Sequence, residues 1–391
     1  MKQKLSQISK INANSITKDD KKKFLSYLDT ANLVDNKIIN FQRNYWEKLP
    51  KSATRKVTEK TILYSKVRPI QMHNGIFTDL DFDNIVVSNA FFTIDVDESI
   101  ADPHFIYYYL TNRKQISKMQ ILAESSTTYP TLSLENIENF EIELPNINAQ
   151  AHIGKLLSNI DKKINLNNKI NDNLLKQAKL AYDYLFKNKQ RNRSYNFDDQ
   201  ENAPLKDFCE NIITGKTPPT ANESFFNGDI PFITIEDLSK SMFITKTHRT
   251  LSAEGANFQS NKFIPSGSLC VSCIATIGKI GFTTGLSQTN QQINSVIFPD
   301  NKYNNYIYFA LEELFRSASF KTGNVFANLN KTEFSEILIL KPSEELLLEF
   351  NKTSSILFKK IRSNSFENDT LYSIREKLLP LLMNGQVTIE D

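Results

Sequence analysis

The chain of 391 residues repeats itself once, and this repeat constrains its fold more than any other feature of the sequence. Leu144-Pro145 opens a long stretch of helical polar and apolar pattern. Lys341-Pro342 opens a second such stretch 197 positions later, and the two align without a gap. Because self-similarity at a fixed offset marks a duplicated structural unit, we expect two copies of one arrangement.

Both stretches carry apolar residues at alternating spacings of four and three over about five heptads, the pattern of a coiled-coil seam. Each seam also contains two asparagines at matching places: Asn167 and Asn171, then Asn364 and Asn368. An antiparallel pairing about the centre of the repeat brings Asn167 to Asn368 and Asn171 to Asn364. A buried asparagine penalises slipped registers because it is satisfied only opposite another polar group. The sequence therefore predicts an intramolecular antiparallel coiled coil with a register set by these asparagines.

The same register brings Ile153 to Leu382 and Leu185 to Phe350, so apolar seam positions also meet one another. The alternative is a pair of independent surface helices that belong to unrelated domains. The continuous match of seam positions favours the coiled coil.

The first long helix should run from about residue 147 to 186, which is roughly 60 Å at 1.5 Å per residue. That length suits a spacer. Pro380 lies inside the apolar run of the second copy and predicts a kink or an early end there. Asn384-Gly385 then supplies a stop signal.

The segments outside the long helices repeat as well, at offsets near 200. The matching pairs are residues 5–11 with 205–211, 24–33 with 231–238, 61–67 with 268–274, 105–110 with 306–311, and 129–132 with 326–329. Short runs flanked by Asn, Gly and Pro turns predict strands with one or two helices and give no alternation typical of a parallel doubly wound sheet.

The expected fold class is therefore α+β, with two mixed globular domains separated by two long helices that form an intramolecular antiparallel coiled coil. The arrangement implies an internal pseudo-two-fold repeat. The polar segment that follows the first helix separates the halves. The predicted division is a first domain at 1–144, a central helix at 145–187, a linker at 188–203, a second domain at 204–341 and a C-terminal helix at 342–391.

The formal charge is +3, from 47 Lys and Arg against 44 Asp and Glu. The chain therefore lacks the large overall positive charge that would by itself indicate a nucleic-acid partner. Any basic surface must be local. Residues 21–23 and 187–193 are basic clusters, although such runs are usually solvated faces. No stretch approaches the ~20 apolar residues of a membrane span, and no secretory signal is evident. A cytoplasmic protein without membrane partners is expected.

Motifs for cofactor chemistry are missing from the sequence. Residues 214–217 read TGKT, like the end of a phosphate-binding loop, but Glu210 stands where that loop requires a glycine. Neither GxGxxG nor the N/D-P-P-Y/F motif of adenine methyltransferases occurs. We therefore expect no catalytic residue and no cofactor bound by this chain.

Metal and thiol sites are not expected either. Asp79, Asp81 and Asp83 have calcium-loop spacing, but the Gly and Glu that complete such a loop are absent. Cys270 and Cys273 form a lone CxxC in a strand-like run, where residues three apart point to opposite faces. Buried structural thiols are favoured over a zinc or redox pair.

The architecture resembles the specificity subunits of type I restriction-modification enzymes over essentially the whole chain. The resemblance is carried by the following segments: FCENIITGKTPP, GDIPFITIEDL, FIPSGSLCVSCIATIGKIGF, QTNQQINSVIF, ELPNINAQAHIGKLLSNIDKKI and IREKLLPLLMNGQV. The first half departs from the pattern, with YSKVRPIQMHNGIF in place of the glycine-containing turn at 276–281 and with Ser88-Asn89 in place of QTNQ at 288–291.

The resemblance implies that the chain is a DNA-recognition subunit without catalytic activity of its own. Each target-recognition domain would read one half of a split, asymmetric site in double-stranded DNA, and the coiled coil would set the spacing. Two DNA methyltransferase (modification) subunits would dock on the chain, and restriction (motor-nuclease) subunits would join them. S-adenosylmethionine, ATP and Mg would be bound by these partners.

Candidate DNA contacts follow from the need for Lys, Arg, short polar side chains and glycine-containing turns on loops. Those in the second half are Lys216, Thr276, Gly278, Lys279, Thr289, Asn290, Gln291, Gln292, Asn324 and Phe326. By position in the repeat, those in the first half are Lys66, Arg68, Ser88, Asn89, Ser126, Thr127, Thr128 and Tyr129. For any one of them the alternative is an ordinary turn residue. A rival function for the whole chain is a coiled-coil scaffold or adaptor without sequence-specific DNA binding.

Overall fold

The computed structural model describes residues 2–125, 130–187, 201–321 and 328–387, with the main chain alone at 318–321. The chain divides into two compact units, Met1–Asn165 with Leu371–Asp391 and Leu166–Thr370. Each unit therefore contains one globular domain and a portion of both long helices.

The helices of the described residues are α1 (Leu5–Ile8), α2 (Pro103–Thr111), α3 (Arg113–Glu124), α4 (Leu134–Glu138), α5 (Ile147–Phe186), α6 (Ile235–Leu238), α7 (Ala253–Asn257), α8 (Asn304–Lys321), α9 (Lys331–Ser335) and α10 (Glu344–Met383). The strands of the first half are β1 (Lys2–Lys4), β2 (Ser9–Ile11), β3 (Phe24–Leu28), β4 (Leu33–Val34), β5 (Lys37–Ile38), β6 (Gln42–Tyr45), β7 (Ala53–Lys56), β8 (Ile62–Ser65), β9 (Asn74–Ile76), β10 (Ile85–Ser88), β11 (Phe91–Val96) and β12 (Glu141–Glu143). Those of the second half are β13 (Asn202–Pro204), β14 (Asn211–Thr214), β15 (Phe226–Ile233), β16 (Phe243–Ile244), β17 (Arg249–Leu251), β18 (Leu269–Ser272), β19 (Ile280–Thr283), β20 (Gln288–Thr289), β21 (Ile293–Ile297) and β22 (Leu338–Leu340).

Three of the four sheets with three or more strands are mixed, the β2-β11-β8-β9 sheet is antiparallel, and the connections recur in the two units. In the first unit the sheet orders are β6-β3-β10-β7 and β2-β11-β8-β9. In the second they are β17-β15-β20 and β14-β21-β18-β19-β16. Strand β10 runs parallel to β3, and β20 runs parallel to β15, whereas β8 with β11 and β18 with β21 are antiparallel. The α+β expectation is confirmed, and the repeat extends to the order of the strands.

Helices α2 and α8 anchor the cores of the two units. At the start of α2 the Asp102 carboxylate accepts a hydrogen bond from the Phe105 amide (2.8 Å), and Pro103 occupies the first turn, where its missing N–H costs nothing. The run from Phe105 to Leu110 is buried on all sides, as is the matching run of α8 from Tyr306 to Leu311 apart from half-buried Ala310. This all-round apolar character is why each helix lies inside its domain rather than at its surface.

Helices α5 and α10 each contain 40 residues and begin and end at the same offset of the repeat. The predicted asparagine pairs are present. The Asn167 side-chain NH₂ group donates to the Asn368 side-chain oxygen (3.0 Å), and the Asn364 side-chain NH₂ group donates to the Asn171 side-chain oxygen (2.8 Å). The Asn368 amide in turn donates to Asn168 (2.9 Å). These contacts, all inside the second unit, show that α5 and α10 pair antiparallel in the expected register.

Apolar seam positions pack as the same register requires. Ile153 and Leu382 are buried in the core of the first unit. Leu185 and Phe350 are buried in the core of the second. The helix pair is therefore continuous with the cores of the domains and not a separate surface element.

Of the kink or early end predicted at Pro380, the early end does not occur, because α10 continues to Met383. Proline lacks only its own N–H, and its carbonyl still accepts from the Asn384 amide (3.1 Å). The stop at Gly385 is confirmed: this residue has φ +67°, and the Gln386 amide donates to the Leu381 carbonyl (3.0 Å). A left-handed glycine with this hydrogen bond closes a helix without Cβ strain.

One polar network distinguishes the first unit from the second. Asp161 on α5 is 6% exposed and accepts from the Tyr108 hydroxyl (2.7 Å) and from the Arg375 guanidinium on α10 (2.8 Å). Arg375 also contacts the Asp35 carboxylate (2.8 Å). Burial raises the pKa of the Asp161 carboxyl, and Arg375 and Tyr108 oppose that rise.

The second unit has an aromatic cluster at the matching places of the repeat. Phe309 and Phe358 stand where the first unit has Tyr108 and Asp161, and their ring centroids are 5.9 Å apart. Ala178, fully buried, stands where α10 has Arg375. The two ends of the helix pair therefore bury different chemistry, ionic in one unit and aromatic in the other.

In the part of the chain that the structure describes, no helix has the length and apolar character needed to cross a bilayer.

We expect Asn167→Leu to lower the free energy of unfolding by about 1–3 kcal/mol, because it leaves a buried side-chain oxygen of Asn368 without its donor. Urea unfolding followed by circular dichroism would measure the change. Leu166→Ala is the matched control, since the neighbouring Leu166 is 53% exposed and its truncation should cost far less. Equal losses in the two variants would contradict a register role for the asparagine pair.

We expect Arg375→Ala to cost about 3–5 kcal/mol at neutral pH, because it strands the buried Asp161 carboxylate. Without the guanidinium the pKa of Asp161 rises further, so the folded variant takes up a proton more readily than the unfolded chain. The stability deficit should therefore be largest above the folded pKa and shrink as the pH falls through it toward the ordinary value of 3.8. Urea midpoints from pH 7.5 to 4.5 would test this.

Arg113→Ala is the control for that series, because the Arg113–Glu376 ion pair (3.0 Å) is exposed on both sides and should contribute under about 1 kcal/mol. A pH-independent loss in Arg375→Ala would show that packing, not charge, accounts for its effect.

Candidate nucleic-acid interface

The candidate loops of the second unit meet at one edge of its five-stranded sheet. Strands β14 and β18 both run antiparallel to β21, with Thr214 opposite Asn294 and Ser272 opposite Ile293. The carboxyl ends of β14 and β18 therefore lie beside the amino end of β21, and the turn into β19 lies there too. Residues 215–217, 275–279 and 290–292 all follow or precede these strand ends, so the structure brings them together.

Residues 215–217, named here the 215–217 turn, follow β14 without regular secondary structure and lie against the segment before β21. The Lys216 amide donates to the Thr289 carbonyl (2.9 Å), and the Gly215 amide donates to the Ile293 carbonyl (3.1 Å). A Cβ on Gly215 would lie 2.2 Å from the Asn290 carbonyl oxygen, so no other residue fits without a shift of the main chain. This close approach leaves the Lys216 side chain exposed at the edge.

Residues 290–292 form a turn that its own side chains close. The Asn290 side-chain oxygen accepts from the Gln292 amide (3.1 Å), and its NH₂ group donates to the Gln292 side-chain oxygen (3.0 Å). Gln291 is exposed and accepts from the Thr217 hydroxyl (2.6 Å). The turn thus presents amide groups, which can bind adenine through two hydrogen bonds, beside a lysine.

The turn at 275–279 is held by one buried serine. The Ser272 hydroxyl donates to the Thr276 carbonyl (2.5 Å) and accepts from the Lys279 amide (2.8 Å). Gly278 has φ +86°, and a Cβ there would lie 2.7 Å from the Phe315 side chain. Thr276 and Lys279 are exposed on this turn. Gly278 thus permits the turn, and the exposed hydroxyl and ammonium belong to its neighbours.

The first unit builds the same edge from different side chains. Ser65 at the end of β8 lies opposite Phe91 of β11, as Ser272 lies opposite Ile293. The main-chain hydrogen bonds that follow also match. The Lys66 amide donates to the Ala90 carbonyl (2.9 Å), as the Cys273 amide donates to the Gln292 carbonyl (2.8 Å). The Leu132 amide donates to the Lys66 carbonyl (2.8 Å), as the Leu329 amide donates to the Cys273 carbonyl (2.9 Å). The frame that carries the candidate loops is therefore common to both units.

This register makes Ser88 the counterpart of Asn290 and Asn89 the counterpart of Gln291. Ser88 closes its turn as Asn290 does, by accepting from the amide two residues on, that of Ala90 (3.2 Å). Ser88 is 4% exposed and Asn89 is exposed. In both turns the first residue shapes the main chain and the second projects outward.

Burial argues against a direct DNA contact for two of the predicted residues. Ser88 serves its own turn, and Thr289 is 1% exposed beneath the 215–217 turn. Lys66 is half-buried with its ammonium 4.9 Å from the Phe92 ring centroid, and burial, aided by the nearby Arg55 charge, lowers the pKa of Lys66. Arg68 is exposed, with φ +45°.

Some of the predicted contacts lie outside the described residues, namely Ser126, Thr127, Thr128, Tyr129, Asn324 and Phe326. The described residues next to them do reach the edge: Thr131 bridges Val67, and Asn328 bridges Ile274.

Sequence reasoning missed Arg55, which lies on strand β7 of the first unit, opposite Val87 of β10. Its guanidinium donates to the Asn12 carbonyl (3.1 Å) and to the Ser15 hydroxyl (3.2 Å). Only the pairing of β7 with β10 places it near the edge, and no repeat or motif marks that pairing.

Cys270 and Cys273 behave as structural groups. Cys270 and Cys273 are unpaired and buried, and burial raises the pKa of the Cys270 thiol to about 12 and that of Cys273 to about 11. Neither thiol is therefore a ready thiolate ligand or nucleophile. Among residues 2–125, 130–187, 201–321 and 328–387, no group of three or more His, Cys, Asp or Glu side chains is placed to hold a metal ion.

Comparison with known proteins identifies this arrangement. The family model for the type I restriction modification DNA specificity domain matches the chain twice, over residues 2–176 and 198–372. The type I restriction enzyme HindI specificity subunit of Haemophilus influenzae is 31% identical, with 92% of this chain and 94% of that protein covered. The type I restriction enzyme MjaIX specificity subunit of Methanocaldococcus jannaschii is 25% identical, with 93% and 86% covered.

A solved structure, the S subunit of a type I restriction-modification system from M. genitalium, superposes with a TM-score of 0.59 at 16% identity, covering 98% of this chain and 95% of that one. This likeness shows a shared fold. With the two family matches and the shared frame of both sheet edges, it follows that the chain belongs to the type I restriction-modification DNA specificity family and is a non-catalytic specificity subunit with two target-recognition domains.

Proposed function

We propose that each target-recognition domain reads one half of a bipartite, asymmetric site in double-stranded DNA, and that the α5–α10 coiled coil sets the spacing between the halves. The observation that carries this proposal is the sheet edge shared by both units, where equivalent main-chain contacts present different side chains. Equal frames with unequal side chains suit two similar but not identical half-sites.

The exposed chemistry of each edge supports base and phosphate contacts. The second domain offers Gln291 with Lys216 and Lys279, and the first offers Asn89 with Arg68. Amides distinguish adenine in the major groove, arginine and lysine favour guanine, and cations also neutralise phosphates. The net charge of the chain is only +3. DNA binding does not require a larger net charge, because the cations at these edges act locally.

The coiled coil supports the spacing function by its rigidity. Helices of 40 residues with a register pinned by buried asparagines cannot slide without breaking those hydrogen bonds. A spacer defined in this way would hold two half-sites at one separation, and DNA with an added or deleted central base pair should bind poorly.

Two DNA methyltransferase subunits would dock on this chain, since a duplicated fold offers two equivalent surfaces. They would supply S-adenosylmethionine and the methyl transfer to adenine, and motor-nuclease subunits would supply ATP- and Mg-dependent cleavage. In this proposal the chain itself binds DNA and partners, and no bond is made or broken by its own residues.

Co-expression with its methyltransferase partner in a host lacking other modification, followed by methylome sequencing, should reveal one bipartite methylated motif. The rival function is a scaffold without DNA specificity. It predicts that no motif appears and that the complex binds DNA, if at all, without sequence preference. Either of these results would reject the proposed function.

Single substitutions should act on one half of that motif only. Gln291→Ala should lose about 1–3 kcal/mol of discrimination at base pairs of the half read by the second domain, because one two-point base contact is removed. Asn89→Ala should act on the other half. Competition binding with DNAs altered in one half at a time would separate the two effects.

Lys206→Ala serves as the charge control for Lys216→Ala, because Lys206 pairs with Glu336 away from the edge. We expect Lys216→Ala, but not the control, to reduce the salt dependence of binding by about one phosphate contact. A change of equal size in both variants would contradict the assignment of the edge.

A further inference from the structure

Two buried glutamines lie directly beneath the 215–217 turn. Gln259 is 4% exposed and Gln288 is fully buried on β20. The Gln259 side-chain NH₂ donates to the Lys216 carbonyl (2.7 Å) and to the Gln288 side-chain oxygen (2.8 Å). Since the Lys216 amide already donates to the Thr289 carbonyl, both main-chain polar groups of Lys216 are held from inside the domain.

The orientation of this amide pair is determined by its hydrogen bonds. The Gln288 NH₂ donates to the main-chain carbonyls of Ala256 (2.8 Å) and Gln259 (3.3 Å), so its oxygen must face the Gln259 side chain. The Gln259 NH₂ is therefore the group that reaches Lys216, because a flipped amide would place oxygen against oxygen at two contacts.

This orientation has a cost. The Gln259 side-chain oxygen is buried and has no hydrogen-bond partner among the described residues. A buried acceptor left unpaired is unfavourable, but an apolar side chain at this place would leave both the Lys216 carbonyl and the Gln288 side-chain oxygen without their donor. With this orientation, the hydrogen bonds of Gln259 hold the 215–217 turn in place.

The first domain shows that the fold itself does not require the glutamines. By the register of the sheets, Val86 on β10 is the counterpart of Gln288, and it packs in an apolar cluster with Leu25, Tyr27 and Ala53. The same strand pair thus forms with a valine at this place. What the glutamines add is confined to the second domain and to the turn above them.

We infer that Gln259 and Gln288 are positioning residues for DNA recognition by the second domain: their buried amides fix the 215–217 turn before DNA binds. Neither side chain touches DNA. This inference rests on the proposed function, because it gives the turn a target to meet. Preorganisation raises affinity and discrimination by removing the entropy of ordering the turn on binding.

The test uses the full chain in complex with its methyltransferase partner and DNAs altered in one half-site at a time. We expect Gln259→Met, which keeps the volume and removes the donor, to lower discrimination about tenfold at the half read by the second domain. Discrimination at the other half should match that of the unaltered protein. Gln288→Met should act in the same direction, because it removes the acceptor that orients Gln259.

Asn305→Leu is the matched control, since Asn305 is a buried amide of the same unit that donates to the Ser354 hydroxyl (3.1 Å) far along the chain from the turn. It should lower stability without altering discrimination at either half. If Gln259→Met weakens binding to all DNAs equally, or leaves every one unchanged, the positioning role is rejected.

If both glutamine variants fail to fold, amide hydrogen exchange of the unaltered protein tests the same inference. Amide hydrogen exchange without DNA should be slow at Gly215 and Lys216, and exchange as fast as in an unstructured peptide would overturn the inference. Failure of the proposed function looks different, because the unaltered complex would then show no bipartite preference to begin with.

Discussion

The hydrogen bonds between the asparagines of α5 and α10, three of which are buried, are the constraint on which the arrangement depends. Two helices of 40 residues with an apolar seam could pair in several registers, and a shift by one heptad would keep most leucines and isoleucines covered. Such a shift in either direction would leave Asn364 and Asn368 facing apolar side chains, at the cost of unpaired buried amides. The native register is selected by what the alternatives would leave unsatisfied.

The asparagines recur in both copies and cannot tell one half of the chain from the other. The contacts of Asp161 can, because α10 supplies Arg375 where α5 has only Ala178. An α5 helix paired with another α5 would bury the Asp161 carboxylate without its cation. The asparagine pairs, which recur in both copies, therefore set the register, and the Asp161–Arg375 contact, which does not recur, selects α10 as the partner of α5.

The sequence predicted the features that depend on periodicity: the repeat, the two long helices, their antiparallel seam, and the asparagine pairs. It also singled out the loops at 275–279 and 289–292, which the structure places at neighbouring strand ends. It failed where tertiary packing decides. The burial of Ser88 and Thr289 and the amide pair beneath Lys216 depend on neighbours remote in sequence. No local pattern records those neighbours.

The two sheet edges are held largely by main-chain hydrogen bonds, such as Lys66 to Ala90 and Cys273 to Gln292. Every residue type except proline can donate such a bond, so the outward residues at 89 and 291 are free to vary while the frame persists. In the proposed function, a lineage carrying this fold can therefore change its pair of targets by a few surface substitutions, and the protein remains folded at each step. Substitution of these outward side chains leaves the main-chain hydrogen bonds that stabilise the fold unchanged.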